Sequence, residues 1–314
     1  MKILITGGAG FIGSHVAEHF FNQQEEVYIM DNLSTGYRHN IPFINNEHFL
    51  HIDIRNYDEV ENIIQTHQFD IIIHLAAVVS VVDTVENPEE SNEVNISALV
   101  RLLELSRKHL PYLKKFIFAS SAAVYGNNPN LPKSITSHIQ PESPYAVQKY
   151  SGEQYVKLYY ELYHLPTTSL RFFNVYGSKQ DPQSQYSGVL SIMKNCFDKD
   201  KQFTFFGNGE QTRDFVYVKD IVQAIQIVIQ QHVSNGAIYN VGTSHPTSLL
   251  SIYEIFKHLY QKEIPTQFAA PREGDVKYSY ADIEPLKQLG FSTQYSLKEG
   301  LNEYLNYEMH HPSS

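Results

Sequence analysis

Tyr145 and Lys149 stand four residues apart at the start of a stretch, 144–162, whose apolar residues recur at helical spacing. Both side chains therefore leave one helix face about a turn apart. An ammonium near a phenol favours the phenolate, as does the positive charge of an oxidised nicotinamide, so the pair reads as a general base for a sugar hydroxyl and its helper. Taken alone, Tyr-x-x-x-Lys is a solvated helix face; its position gives it weight. Ser120 and Ser121 close an apolar run, 115–120, that reads as a buried strand. A hydroxyl at the carboxyl end of such a strand bridges a substrate oxygen and the phenol, and Ser121 is preferred to Ser120 for this. The plainer alternative is a turn serine bonded to its own backbone.

Gly7, Gly10 and Gly13 follow the first strand-like run, 2–6, and open the first helical stretch, 12–22. Glycines in a strand-turn-helix context let the backbone turn tightly and a pyrophosphate approach the helix N-terminus. Asp31, about 20 residues on, ends the second run, where an acid accepts from a ribose 2′-OH and repels a 2′-phosphate. NAD is therefore expected over NADP. Asp53 and Ile54 follow the third run, where an adenine edge would lie; by itself Asp53 is an ordinary helix cap.

Positioning these groups requires a sheet. Runs 2–6, 26–31, 49–52, 71–75, 115–120 and 167–172 read as buried strands, and 12–22, 57–67, 90–109 and 144–162 as helices. Their alternation predicts a doubly wound, Rossmann-like parallel α/β sheet. After Tyr176 the pattern loosens into helices 188–197, 219–231 and 248–260, with a late strand, 237–241, returning to the first sheet. The expected division is a nucleotide-binding domain over 1–176 and a smaller α/β domain over 177–314 that covers the carboxyl edge.

Composition narrows the partners. The 314 residues carry 24 Lys+Arg against 34 Asp+Glu, a balance of −10, with no long basic run, which argues against nucleic acid and anionic membranes. Any phosphate must be held locally. With 42% apolar residues, 22 Tyr and 18 Phe, disorder is excluded. The single Cys196 cannot form an intrachain disulfide, and the spacing of a structural zinc site is absent. His15 and His19 lack the Glu of a zinc-protease helix and read as surface histidines, so no metal is expected. The apolar run after Met1-Lys2 is too short for a signal peptide, and no membrane span is visible. A cytoplasmic location is expected.

In order, Gly7-Gly8-Ala9-Gly10-Phe11-Ile12-Gly13, Asp31-Asn32, Asp53-Ile54, His74-Leu75-Ala76-Ala77, Ser121, Tyr145 with Lys149, and Arg171-Phe172-Phe173-Asn174-Val175-Tyr176-Gly177 resemble the extended short-chain dehydrogenase/reductase superfamily. Within it the chain resembles the UDP-glucose (UDP-galactose) and UDP-N-acetylglucosamine 4-epimerases, from Ile3 to about Gly290. The resemblance implies a tightly bound NAD, Tyr145 as base, Lys149 lowering its pKa and binding the nicotinamide ribose, and Ser121 orienting the sugar 4-oxygen. It also implies cofactor contacts at Phe11, Ile12, Asn32, Leu33, Ser34, Thr35, Gly36, Leu75, Ala76, Ala77, Val78, Val79, Asn95 and Phe173. The UDP-sugar falls to Asn174, Val189, Thr204, Phe206, Arg213, Arg272, Asp275 and Ser279. The two arginines would make charge-assisted bonds to the diphosphate.

Ala122 and Ala123 stand where sugar-nucleotide dehydratases carry an Asp-Glu pair and decarboxylases a Glu, and methyl groups transfer no protons. Ser279 stands where enzymes restricted to glucose and galactose carry Tyr, which implies room for an N-acetyl group. A UDP-glucuronate 4-epimerase is the runner-up, and a non-catalytic NAD- and UDP-sugar-binding protein a further alternative. A homodimer through a four-helix bundle is implied for 90–109 and 144–162, with Tyr155, Leu158, Tyr159 and Leu162 as its apolar stripe. Supply of sugar nucleotides for a cell-surface polysaccharide is the expected setting. Departures from the family are Ile96-Ser97-Ala98-Leu99 after Asn95, and Val81-Val82 near the expected sugar pocket.

Overall fold

Apolar runs without a polar face must be covered on both sides. The computed structural model describes residues 1–180, 188–271 and 276–310. Among them the strands are β1 (Lys2–Thr6), β2 (Glu26–Asp31), β3 (Phe49–His51), β4 (Ile71–His74), β5 (Lys115–Ser121), β6 (Thr167–Phe172), β7 (Asn174–Tyr176), β8 (Phe203–Phe206), β9 (Thr212–Tyr217), β10 (Ile238–Val241), β11 (Pro246–Ser248) and β12 (Thr266–Ala269). Seven of these form one sheet in the order β10-β6-β5-β4-β1-β2-β3. Every neighbouring pair in it is parallel. This is the doubly wound, Rossmann-like order, and it reverses between β1 and β4, where ligands of such sheets bind.

The helices are α1 (Phe11–Asn22), α2 (Tyr57–His67), α3 (Val81–Glu86), α4 (Pro88–Asn92), α5 (Ala98–His109), α6 (Pro144–Tyr163), α7 (Val189–Asp198), α8 (Val218–Gln230), α9 (Leu249–Tyr260), α10 (Glu284–Lys287) and α11 (Leu297–His310). Ile3, Ile5, Ile71, Ile73 and Ile117 pack with Val16, Phe20, Ile221 and Ile225 of α1 and α8. Their alternates Leu4, Ile72, Phe116 and Phe118 pack with Val60, Leu99, Leu102 and Val156 of α2, α5 and α6. The strand period of two thus divides one sheet between two helical layers. A third core joins α7, α9 and α11 to β8 and β9 through Met193, Phe197, Phe205, Ile252, Phe256 and Tyr304. The first core also draws on Val241 and Ile283, far beyond residue 176, and β10 lies beside β6.

Two expectations are corrected. The helix expected over 90–109 is interrupted, because Glu93–Ser97 forms a π-turn between α4 and α5. The turn carries Asn95 inward, where it takes three hydrogen bonds that a regular helix residue would leave to solvent. His15 and His19 are not surface residues. Their Nε2 atoms meet Ser178 O and Gln226 Oε1, each at 2.9 Å, so both act as spacers between α1 and the second half of the chain. Burial pulls His15 down to about 4, which keeps it neutral. Among the described residues no cluster could hold a metal ion, and no helix is long and apolar enough to cross a membrane.

Lys115 at the start of β5 is fully buried without a carboxylate. Its Nζ donates to Ser234 Oγ at 2.8 Å, to Gln231 O at 3.3 Å and to Asn235 Oδ1. Burial pulls it down to about 8 from 10.5. Because the unfolded chain then binds the proton more tightly than the folded one, the Lys115 contribution to stability rises as pH increases from about 8 to about 10.5. In thermal denaturation, Lys115→Met should show a shallower rise, or a steeper fall, than the parent across that window.

Candidate active site at the carboxyl edge of the sheet

β1 ends at Thr6, Gly7 turns the chain at φ 70°, and α1 begins at Phe11. A Cβ on Gly7 would stand 2.7 Å from Ala76 N, and one on Gly13 only 2.2 Å from Gly7 O. Both are glycine because backbone touches backbone there. Gly10 differs, since its Cβ would meet only Gly7 O, at 3.3 Å, among the described residues. Gly10 is the N-cap of α1, where no described side chain caps the first amides and no acid sits in the first turn. Free amides beside a glycine that is less crowded than Gly7 and Gly13 fit the pyrophosphate of a dinucleotide.

Asp31 is buried at the end of β2. Its Oδ2 accepts Ala9 N at 2.9 Å and its Oδ1 accepts Leu33 N at 2.8 Å, so the acid also braces the glycine loop. The loop carrying Leu33, Ser34, Thr35 and Gly36 runs against it, and a Cβ on Gly36 would lie 2.8 Å from Ala9 C. Asn40, which sequence reading passes over, donates from Nδ2 to Ala9 O at 2.9 Å. Asp53 is engaged by Arg55 through N, Nε and Nη2, each at 2.9 Å, and by Asn32 Nδ2 at 2.8 Å. The guanidinium holds the Asp53 carboxyl well below its usual range. Four donors fill the lone pairs of Asp53, so an adenine there competes with Arg55 and Asn32. Leu75, Ala76, Ala77, Val78 and Val79 follow β4, tied by Ala76 N to Thr6 Oγ1 at 3.3 Å. Asn95 accepts from Val78 N at 2.8 Å and donates to Val78 O at 3.0 Å and to Gln148 Oε1 at 2.7 Å. It shapes the cofactor loop from behind. Phe173 is a core residue, 6.4 Å from the Tyr125 ring.

Ser143 caps α6 by accepting from Ala146 N at 3.2 Å, and Pro144 opens the helix, which puts Tyr145 in the first turn. Lys149, one turn on, is buried and donates to Ala119 O at 2.9 Å. Its Nζ lies 5.7 Å from the Tyr145 ring centroid and 5.1 Å from that of Phe118. Burial pulls Lys149 down to about 8, with Glu153 opposing. Ser121 Oγ accepts Ala123 N at 3.2 Å, which makes it a turn serine, and it lies near enough to Tyr145 to favour the ionised phenol. The phenol does not behave as its neighbours in sequence suggest. Burial pushes Tyr145 up from its ordinary 10, and the nearby Ser121 only opposes this. The ammonium is occupied by the Ala119 carbonyl.

On the other side of the edge, Asn174 is exposed at the head of β7, which pairs with β9. Arg213 in β9 donates to Thr212 O at 3.0 Å, and Ser279 N donates to the same carbonyl at 3.3 Å. Thr204 Oγ1 accepts Gln267 Nε2 at 2.8 Å across the β8–β12 pair, and the Phe206 carbonyl accepts Gln211 Nε2 at 2.7 Å. Val189 opens α7. Arg272 and Asp275 lie outside the described residues. Val81 and Val82 are exposed on α3. Asp214 is a buried acid that spacing alone did not single out. Its Oδ1 accepts Thr243 N at 2.7 Å and Thr243 Oγ1, and its Oδ2 accepts Ser244 N and Ala281 N at 3.0 Å each. It thereby fastens the 243–244 and 279–281 segments beside Arg213.

With this geometry in view, the profile of the NAD dependent epimerase/dehydratase family matches residues 3–242. The chain belongs to that family, and its cofactor is NAD. A putative UDP-glucose 4-epimerase of Methanocaldococcus jannaschii is 39% identical over 306 residues, 97% of each chain. The crystal structure of a UDP-glucose 4-epimerase from Thermotoga maritima with UDP-glucose superposes with a TM-score of 0.93 at 34% identity, covering 100% of both chains. A UDP-N-acetylglucosamine 4-epimerase from Methanobrevibacter ruminantium, in complex with UDP-N-acetylmuramic acid, gives 0.92 at 34% identity, covering 99% of this chain and 98% of that one.

The two kinds of glycine separate experimentally. Gly10→Ala should lower the thermal midpoint only slightly while NAD affinity drops about tenfold or more, whereas Gly13→Ala should lose both stability and affinity, measured by denaturation and calorimetric titration.

Proposed function

We propose that the protein is an NAD-dependent 4-epimerase of UDP-hexoses, interconverting UDP-GlcNAc with UDP-GalNAc and UDP-glucose with UDP-galactose. The observation that carries the reading is Tyr145 with Lys149 Nζ 5.7 Å from its ring and Ser121 beside it, together with alanines at 122 and 123. A base, a hydroxyl and a cation suffice to move one proton at the sugar 4-oxygen. No acid–base pair stands at 122–123 to remove water or carbon dioxide. Bound NAD supplies the reversible hydride acceptor for C4 and is not consumed.

The phenol of Tyr145 takes the 4-OH proton, Ser121 Oγ orients that oxygen, and Lys149 steadies the phenolate. The buried setting keeps the phenol protonated at rest, so the cationic partners of the loaded site have to favour its ionisation. The small side chain of Ser279, whose N donates to Thr212 O next to Arg213, supports an N-acetyl group there, and Tyr278 turns out to solvent with 42% exposure. The alternative uronate needs a further cation for its 6-carboxylate, which the site residues named do not supply.

We also infer a homodimer through α5 and α6. Tyr155, Leu158, Leu162 and Tyr163 are exposed on α6, Leu162 at 63%, although Tyr159 of the expected stripe is buried and donates to Glu104 at 3.2 Å. A bare apolar row on a helix is what a second copy covers. Light scattering should give the mass of two chains for the parent and of one for Leu158→Glu combined with Leu162→Glu.

The function is tested by proton NMR of the purified protein with UDP-GlcNAc and with UDP-glucose, adding no NAD. Both sugars should interconvert. Tyr145→Phe should slow turnover by about 100-fold or more, and Ser279→Tyr should slow UDP-GlcNAc at least about tenfold while sparing UDP-glucose. UDP-GlcNAc left untouched by the parent, or an unchanged UDP-GlcNAc rate in Ser279→Tyr, overturns the N-acetyl assignment.

A further inference from the structure

Glu153 lies one turn beyond Lys149 and two beyond Tyr145, on the same face of α6. It is fully buried, and its carboxylate is gripped by the equally buried Arg171 of β6, Nε to Oε1 and Nη2 to Oε2, each at 2.7 Å. The remaining donor to it is Ser120 Oγ. Three consecutive residues at the end of β5 thus meet three successive turns of one helix face. Ala119 O holds Lys149, Ser120 Oγ holds Glu153, and Ser121 stands near Tyr145. Arg171 in turn donates from Nη1 to Tyr125 Oη at 2.8 Å, and Tyr125 donates to Asn240 Oδ1 at 2.7 Å. The network therefore reaches from the helix across the sheet to β10.

We propose that Glu153, clamped by Arg171, is a positioning residue of the reaction that sets the register between the β5 end carrying Ser121 and the α6 face carrying Tyr145 and Lys149. A buried ion pair is poor evidence of stabilisation, since apolar residues of similar volume usually replace one without loss. Its placement here serves alignment. Glu153 is also the charged group that favours the Lys149 cation among the described residues. The other neighbours of Lys149 add no charge. His74 of β4 is held neutral, at about 3, by burial, Phe118 and Tyr145 present rings, and the charge of Arg171 is matched by Glu153. Loss of the Glu153 charge should let Lys149 release its proton at lower pH.

The inference rests on the 4-epimerase reading, and the test separates the two. The purified holoenzyme is compared with Glu153→Gln, Glu153→Asp and the double variant Glu153→Leu/Arg171→Met. Steady-state kinetics are run from about pH 6 to about 10 on whichever UDP-hexose the parent interconverts, and Lys149 is titrated by NMR of 13Cε-labelled lysine. Glu153→Gln and the double variant should lose about tenfold or more in kcat with KM within about twofold, and in Glu153→Gln, which leaves the Arg171 charge unmatched, the alkaline limb and the Lys149 titration should move down by about one pH unit. Glu153→Asp should lower kcat but restore the limb. A folded Glu153→Gln with the parent's kcat and Lys149 titration, or a folded double variant with the parent's kcat, overturns the proposal. Should both lose their fold, an unchanged kcat in Glu153→Asp overturns it too. A parent that interconverts no UDP-hexose counts against the epimerase reading alone, and the Lys149 titration still decides this one.

Discussion

The constraint on which the cofactor site depends is the contact of Gly13 with the carbonyl of Gly7, where a single methyl group would not fit. It presses α1 onto the end of β1 and so fixes where the free amides of the helix start point. The surrounding residues are arranged to keep that contact. Asp31 and Asn40 hold Ala9 from two sides, the Gly36 backbone lies on it, and Thr6 ties the β4 loop to the same point. One close approach thereby sets the floor of the cofactor site and the distance from it to the neighbouring strands.

An acidic chain proposed to take a dianionic sugar nucleotide has to concentrate its attraction. The long-range field of this protein repels polyanions, so recognition falls to short-range donors whose geometry is set by the fold. The same economy appears inside. Lys149 and Arg171 are both buried cations near the strand ends, and one carboxylate, Glu153, serves the two of them. A cation without such a neighbour, Lys115, is instead solvated by hydroxyl, amide and carbonyl groups. The interior uses both ways of accommodating a charge it cannot expel.

Much of the sheet was readable because its causes are local. Buried parallel strands are continuously apolar, a glycine every third residue after a strand has few other uses, and a four-residue spacing defines a helix face by itself. What stayed hidden depends on partners distant in the chain. The π-turn at Glu93–Ser97 exists for Asn95 to reach Val78 and Gln148, and no periodicity announces it. Arg55 captures Asp53 from only two residues away, yet whether an acid serves a ligand or a neighbour is decided by rotamer and not by spacing. Without a bound cofactor the Tyr145 titration moves the other way, for a related reason. Spacing shows that an ammonium is near, but not that a carbonyl already holds it or how deeply the phenol is buried.

β10 is laid down 65 residues after the end of β7, yet it forms the outer strand beside β6 and supplies Asn240 as the acceptor for Tyr125. A nascent chain that has emerged only through β7 therefore exposes an unfinished sheet edge and a tyrosine hydroxyl whose proton lacks its acceptor. During synthesis the nucleotide-holding half has to wait, with its edge strand β6 unpaired on one side, until the capping half has been made. The interval before residue 241 arrives is when this chain is most open to pairing with the wrong strand.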